Sequence, residues 1–359
     1  MPSVKPGVVT GAAYRELVSA CKQDGYALPA VNITSSSTMN AALEAAANAG
    51  SDIIIQLSNG GAQFFAGKGI KDAAAARVLG AVSAARHAQL LAEHYGVAVV
   101  MHTDHANRKF VPWVDEMLKW SEKAYAETGK ALYSSHMLDL SEESVEDNLA
   151  TCETFLKRMS AIEMSLEIEL GVTGGEEDGI GHELDTSVEE IDPRLYTRPE
   201  EVEEAYRRLS PLGHFSVAAA FGNVHGVYKP GNVKLRPEIL LESQKYVAEK
   251  HGLGDHPLDF VFHGGSGSEK EKIEEAVSYG CFKMNIDTDT QFAYARPVGE
   301  YVEANARAFK YQVDPETDQP YKKQYDPRVW IREAELSMAA RLEEAFKDLG
   351  ATGRTVTKG

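Results

Sequence analysis

The chain has 359 residues, enough to bury a large core, and its 43% hydrophobic and 25% charged content is that of an ordinary globular protein. A formal net charge of −17 argues against nucleic acid and would repel an anionic substrate, so a phosphate ligand would need a pocket that reverses the field locally. No apolar run reaches the ~18 residues of a membrane span, the N-terminus has no apolar signal core, and Cys21, Cys152 and Cys281, odd in number and far apart, fit reduced thiols in a cytoplasmic protein.

In chain order one unit repeats. Residues 26–33 are strand-like, and the alanine-rich 37–49 are helical. A second strand over 52–57 ends in Ser58-Asn59-Gly60-Gly61, before a long helical stretch over 73–95. The third, 97–103, ends in Asp104 and His105, with a helix over 112–128. A weaker fourth over 131–137 precedes Asp139 and a helix over 141–159. The fifth, 165–170, leads into a glycine-rich acidic loop at 171–178, and 199–209 are helical. Residues 215–221 form the sixth, ending in Gly222-Asn223-Val224-His225-Gly226. The short apolar run 258–262 is the seventh. His263 leaves its tip, and Gly264, Gly265 and Gly267 carry the backbone into an amphipathic helix over 268–279. Backbone N–H groups bared by glycine, together with the positive end of that helix, suit a phosphate. Residues 281–286 are the eighth strand, followed by Asp287, Thr288 and a helix to about 309.

Near-continuous apolar strands alternating with helices imply a parallel sheet covered by helices. A count of eight favours closure into an α/β fold of the (β/α)8 TIM-barrel type over an open doubly wound sheet. The expected organisation is a single catalytic domain over 1–359, with polar loop excursions at 180–196 and 310–330.

A barrel places its site at the carboxyl ends of the strands. Those ends carry Asn32, Ser58, Asp104, His105, Asp139, Glu169, His225, His263, Lys283, Asn285 and Asp287. His105, His225 and His263 share a position at or just past a strand tip. Three neutral imidazoles with one open position would make a catalytic zinc site, and imidazole also suits other transition metals. Sequence spacing cannot show convergence, so three unrelated histidines stay open as the alternative. His87 and His94 on a helix, and His182, His251 and His256 in polar loops, read as structural or solvated; His214 reads as a surface residue, and His102 and His136 are ambiguous. A Lewis acid beside a sugar phosphate would polarise its carbonyl and stabilise the enediolate formed when a neighbouring proton leaves. That chemistry needs a general base and a second acid/base. Asp104 is placed for one role, and Glu176 or Glu177, in a glycine-flanked loop able to close, for the other.

These motifs resemble those of the class II (metal-dependent) fructose-bisphosphate aldolases. The resemblance rests on Asn59-Gly60-Gly61, His102-Thr103-Asp104-His105, Ser134-Ser135-His136-Met137, and the stretches at 166–171, 174–179, 223–231, 262–268 and 283–289. It runs from about residue 5 to residue 330. It implies zinc-dependent, reversible aldol cleavage of D-fructose 1,6-bisphosphate to dihydroxyacetone phosphate and D-glyceraldehyde 3-phosphate, a glycolytic and gluconeogenic lyase reaction. By the same resemblance His105, His225 and His263 are the zinc ligands, joined by Glu169 when substrate is absent, and Asp139 is a position for a second divalent ion. Asp104 handles the C4 hydroxyl, Glu177 rather than Glu176 acts at C1 of dihydroxyacetone phosphate, and Asn285 hydrogen-bonds the enediolate. Gly226, Gly264, Ser266, Asp287 and Thr288 form one phosphate pocket, with a monovalent cation (K+ or Na+) beside it. Ser58 and Arg328 contact the other phosphate, Arg328 reaching across from the partner in a homodimer, and Asn32 is taken as a further substrate contact. The stretch 181–198 is longer than in bacterial members and 34–37 differ locally, which touches loop packing and close specificity. Rival readings are a Schiff-base aldolase using Lys283 or Lys229, an enzyme preferring the tagatose epimer, a metal-dependent sugar-phosphate isomerase or epimerase, and a non-catalytic sensor.

Overall fold

The structure is a computed structural model that describes residues 4–173, 175–177, 180–182, 193–223, 235–265 and 268–357. Eight parallel strands carry it: β1 (Leu28–Asn32), β2 (Ile53–Leu57), β3 (Ala98–Thr103), β4 (Ser135–Leu138), β5 (Ser165–Leu170), β6 (Phe215–Ala219), β7 (Phe260–Phe262) and β8 (Cys281–Ile286). Each pairs with the next, and β8 returns to β1, Met284 lying opposite Pro29 and Ile286 opposite Val31. The sheet is therefore a closed barrel with no free edge. Gly7–Val8 adds a short parallel strand beside β3.

Side chains alternate across each strand. On β5, Leu166, Ile168 and Leu170 join the hydrophobic core, while Glu167 and Glu169 share the other face. The strands read as apolar because helices cover the barrel all round. Local chemistry starts and stops those helices. Ser36–Ala49 opens on a capping box between Ser35 and Thr38 and ends at Gly50, whose φ of 59° suits glycine. Ala73–Tyr95 is capped by Asp72 and packs on Asn59–Ala66 through Gly80, where a Cβ would sit 1.8 Å from the Ala62 carbonyl oxygen. The final helix, Pro327–Asp348, lies against Ser36–Ala49 and Thr288–Ala304. Among the described residues no helix is long and apolar enough to cross a membrane.

Departures from expectation have local causes. The helix after β4 starts at Val145, capped by Ser144, because the Ser141 hydroxyl is instead engaged with Asp139 at 2.8 Å. The glycine pair after Ser58 lies inside a helix, since Ser58 Oγ accepts the Gly61 N–H at 3.1 Å and so acts as its cap. At the start of the 180–196 excursion, Ile180–His182 pairs antiparallel with Gly175–Glu177 just before it, and 183–192 lie outside the described residues. The 310–330 excursion is a loop with one short helix, Lys322–Tyr325, before the final helix begins at Pro327.

Candidate active site

The first group is centred on Asp104. Its N–H donates to the Leu57 carbonyl at 2.8 Å, so the residue continues the barrel register past the end of β3. Its carboxylate, fully buried, accepts Asn32 Nδ2 at 3.0 Å on one oxygen and Asn285 Nδ2 at 3.2 Å on the other. Gln56 Nε2 donates in turn to Asn32 Oδ1. Residues from β1, β2 and β8 thus orient one carboxylate through neutral donors, leaving it an acceptor.

The next residue turns the chain sharply. His105 has φ of +29°, a region that L-residues rarely occupy and that structures tolerate where geometry matters. The turn aims its ring back over the barrel, with Nδ1 at 3.1 Å from Asp139 Oδ2 and 3.6 Å from Glu169 Oε2. The ring centroid lies 4.7 Å from that of His263, edge to face. His263 Nδ1 is 3.8 Å from Glu169 Oε2, and Asn223 Nδ2 fixes the His263 carbonyl at 3.1 Å. In two overlapping groups, Asp104 with His105 and His263, and His105 with Asp139 and Glu169, the ligand atoms all lie within 4.8 Å of one another.

The electrostatics of these groups suit a cation. Burial pulls the His263 imidazole down to about 4, against the hydrogen bond to Glu167, so the ring is neutral near pH 7, the form that ligates metals. Burial, and then the charge of Asp139, pushes Glu169 well above the carboxylate range. Burial alone would raise Asp139 too, but the His105 hydrogen bond and charge and the bonds from Ser141 hold it below its ordinary value. Glu169 Oε1 accepts the Thr173 hydroxyl at 2.8 Å, whereas Oε2 is buried with no hydrogen bond among the described residues. A buried carboxylate oxygen facing two imidazoles is destabilised unless positive charge joins it. This nitrogen-and-oxygen donor set fits zinc or another transition metal.

The expected phosphate contacts are more scattered. Ser58 is buried at its helix start. Gly264 has φ of 61°, and a Cβ on Gly265 would come within 2.6 Å of Met284. The helix after them begins at Lys270. Asp287 and Thr288 open the helix Thr288–Ala304, with Asp287 accepting Gln291 Nε2 at 2.8 Å. Arg328, 87% exposed, pairs with neighbouring Asp326 at 2.7 Å. His225, Gly226, Ser266 and Lys229 lie outside the described residues, as do the side chains of Glu176 and Glu177.

Other histidines sort themselves by partner. His87 bonds Asn40 at 2.9 Å. His251 ends a helix and bonds Glu203 at 3.0 Å, so it is not in a loop. His214 is not a free surface residue, because its ring bridges Ser165 Oγ at 2.6 Å and Asp259 at 2.8 Å. His136 bonds Thr103 at 2.8 Å, and His102 bonds Ser135 at 2.7 Å; neither joins the ligand groups. Sequence reasoning missed Glu167, whose oxygens take Lys283 Nζ at 2.9 and 2.7 Å. The signal was the Glu-Ile-Glu alternation, which puts Glu167 on the same face as Glu169.

Fold and site together define a (β/α)8 barrel whose carboxyl end holds a largely buried histidine–carboxylate cluster that could hold a metal ion. Residues 12–354 match the family model described as Fructose-bisphosphate aldolase class-II. The Fructose-bisphosphate aldolase class 2 of Escherichia coli K12 is 52% identical over 354 residues, 97% of each chain. The Fructose-bisphosphate aldolase of Haemophilus influenzae is 53% identical over 351 residues, 96% of each. The crystal structure of a fructose-bisphosphate aldolase from Campylobacter jejuni superposes with a TM-score of 0.88 at 51% identity, covering 98% of both chains. The chain belongs to the class II fructose-bisphosphate aldolase family.

Proposed function

We propose that the protein cleaves D-fructose 1,6-bisphosphate reversibly into dihydroxyacetone phosphate and D-glyceraldehyde 3-phosphate, with zinc held by His105, His225 and His263. The observation that carries this reading is the buried Asp104, held by Asn32 and Asn285 and grouped with His105 and His263 in a chain of this family. Glu169 joins the ligands when substrate is absent, and Asp139 serves a second divalent position. When bound, the ion supplies a Lewis acid beside the sugar carbonyl.

Asp104 takes the C4 hydroxyl proton as the C3–C4 bond breaks. The electron pair of that bond stays on the dihydroxyacetone side, and the C4 oxygen becomes the aldehyde of the departing triose. The Asn285 amide, already donating to Asp104, hydrogen-bonds the oxygen on which charge collects. Glu177 then delivers a proton to the carbon that becomes C1 of dihydroxyacetone phosphate, and its loop closes out water. Gly226, Gly264, Ser266, Asp287 and Thr288 receive that phosphate, with a monovalent cation beside them. Ser58 and the partner subunit's Arg328 receive the other. Asn32 acts by orienting Asp104. The whole chain works as one catalytic domain, in a cytoplasmic homodimer.

The position of Lys283, 2% exposed and clasped by both Glu167 oxygens, favours this route over a Schiff base. The test is cleavage of fructose 1,6-bisphosphate before and after exhaustive chelation, then with zinc restored, and with tagatose 1,6-bisphosphate in parallel. Activity should vanish and return with the metal. Full activity in metal-free protein, or covalent trapping of substrate by borohydride, would refute the proposal.

A further inference from the structure

A second polar layer lies beneath the site. Strand alternation puts Glu167 one layer below Glu169 on β5, Lys283 below Asn285 on β8, and His102 below Asp104 on β3. The lower three converge. Lys283 Nζ lies 2.9 and 2.7 Å from the Glu167 oxygens, and His102 Nε2 lies 3.5 Å from Glu167 Oε2. Glu167 Oε1 is 2.9 Å from His263 Nε2. None of these side chains is more than 3% exposed.

Burying an ion pair this deeply gains little stability that packed apolar side chains would not supply. Its geometry gives it another use. An ionised carboxylate only accepts, so the hydrogen of the neutral His263 ring must sit on Nε2. That leaves the lone pair on Nδ1, the nitrogen on the side of Glu169 and His105. Lys283 fixes the other end of the carboxylate, which prevents Glu167 from turning away.

We propose that the Lys283–Glu167 pair positions the metal ligand His263, locking it in the Nε2–H tautomer so that Nδ1 faces the ion. This rests on the reading of His263 as a ligand. Both are positioning residues, Glu167 acting through His263 and Lys283 through Glu167. In Glu167→Gln, the Lys283 ammonium claims the amide oxygen and turns the NH2 toward His263, which reverses the hydrogen bond. The double variant Glu167→Leu/Lys283→Met removes the device and leaves no lone buried charge.

The experiment measures zinc affinity by competition with a chromogenic chelator, and the visible spectrum of the cobalt(II)-loaded protein, for wild type and both variants. Thermal unfolding of the metal-free forms reports folding. Affinity should fall about 10- to 100-fold, the usual cost of losing a partner behind a ligand, and the cobalt spectrum should change. A neutron structure of wild-type metal-free protein should place deuterium on His263 Nε2, a readout that stands even where a variant does not fold. Deuterium on Nδ1 alone, or folded variants with wild-type affinity and spectrum, would overturn the proposal while leaving the ligand assignment intact. Wild-type protein that binds no zinc would overturn both.

Discussion

Replacing Asp104 with asparagine tests the core of the mechanism, because it removes a charge with almost no change in volume. The side chain is fully buried and accepts one amide hydrogen bond on each oxygen. Asparagine keeps one of those oxygens, so either Asn32 or Asn285 would face an N–H. One such mismatch costs about 1–3 kcal/mol, less than the ~5–15 kcal/mol that holds a domain folded. The protein should fold, with its melting temperature lowered by a few degrees. Catalysis should suffer more. A positioned general base contributes ~10²–10⁴ in rate, or about 2.7–5.5 kcal/mol of barrier. Cleavage of fructose 1,6-bisphosphate by the zinc-loaded variant should therefore fall by that factor. Exchange of the C1 proton of dihydroxyacetone phosphate with deuterated water needs no C4 hydroxyl, so it should persist. Zinc stoichiometry completes the assay, since Asp104 lies within the ligand group of His105 and His263. Cleavage within about threefold of wild type would refute the base assignment. Parallel loss of zinc and of both activities would make Asp104 a ligand instead.

The other predictions probe different parts of the molecule. Arg328 is exposed and, among the described residues, paired with neighbouring Asp326, so Arg328→Ala should leave thermal unfolding unchanged. If the partner subunit's Arg328 grips a phosphate, KM should rise roughly ten- to hundredfold, the effect of losing a charge-assisted contact; an unchanged KM would remove it from the site. Gly80→Ala would drive a methyl to 1.8 Å from a backbone oxygen of the neighbouring helix, for an overpacking cost of about 1–3 kcal/mol or more, visible as a lower melting temperature; an unaltered melt would mean the helices separate freely. Asp259 is a largely buried carboxylate that burial would raise, but the His214 hydrogen bond and the Lys22 charge together hold it below its ordinary 3.8. A depressed carboxyl contributes stability that is present above pH ~4 and lost as pH falls through its folded value. Urea unfolding of Asp259→Asn should therefore trail wild type most at neutral pH and converge with it in acid; a gap independent of pH would assign the effect to packing alone.

The barrel was legible because each strand is covered on both faces, which writes itself as short apolar runs at regular spacing. Runs such as Ile53–Leu57 and Ala98–Thr103 are buried throughout. The upper layer of the site was legible for a related reason. A polar residue that ends such a run, as Asp104 ends β3, breaks the pattern visibly. Helices Gly11–Asp24 and Pro327–Asp348, which lie outside the segments between the eight strands, were not read, and neither was Glu238–His251 between the sixth and seventh strands. The helix after Ser58 was hidden by glycines whose purpose is close approach, because a Cβ on Gly61 would lie 3.0 Å from the Ile33 carbonyl oxygen. The lower layer was harder for a more general reason. Alternation puts Glu167 on the face of Glu169 and Lys283 on the face of Asn285, but the two sit 116 positions apart and the pattern does not name either one's partner. Only closure of the barrel, which brings β5, β7 and β8 around one axis, makes them partners. Residues that act on a ligand from the strand tips can thus be found one strand at a time, whereas residues that aim those ligands from below are defined only by which strands become neighbours.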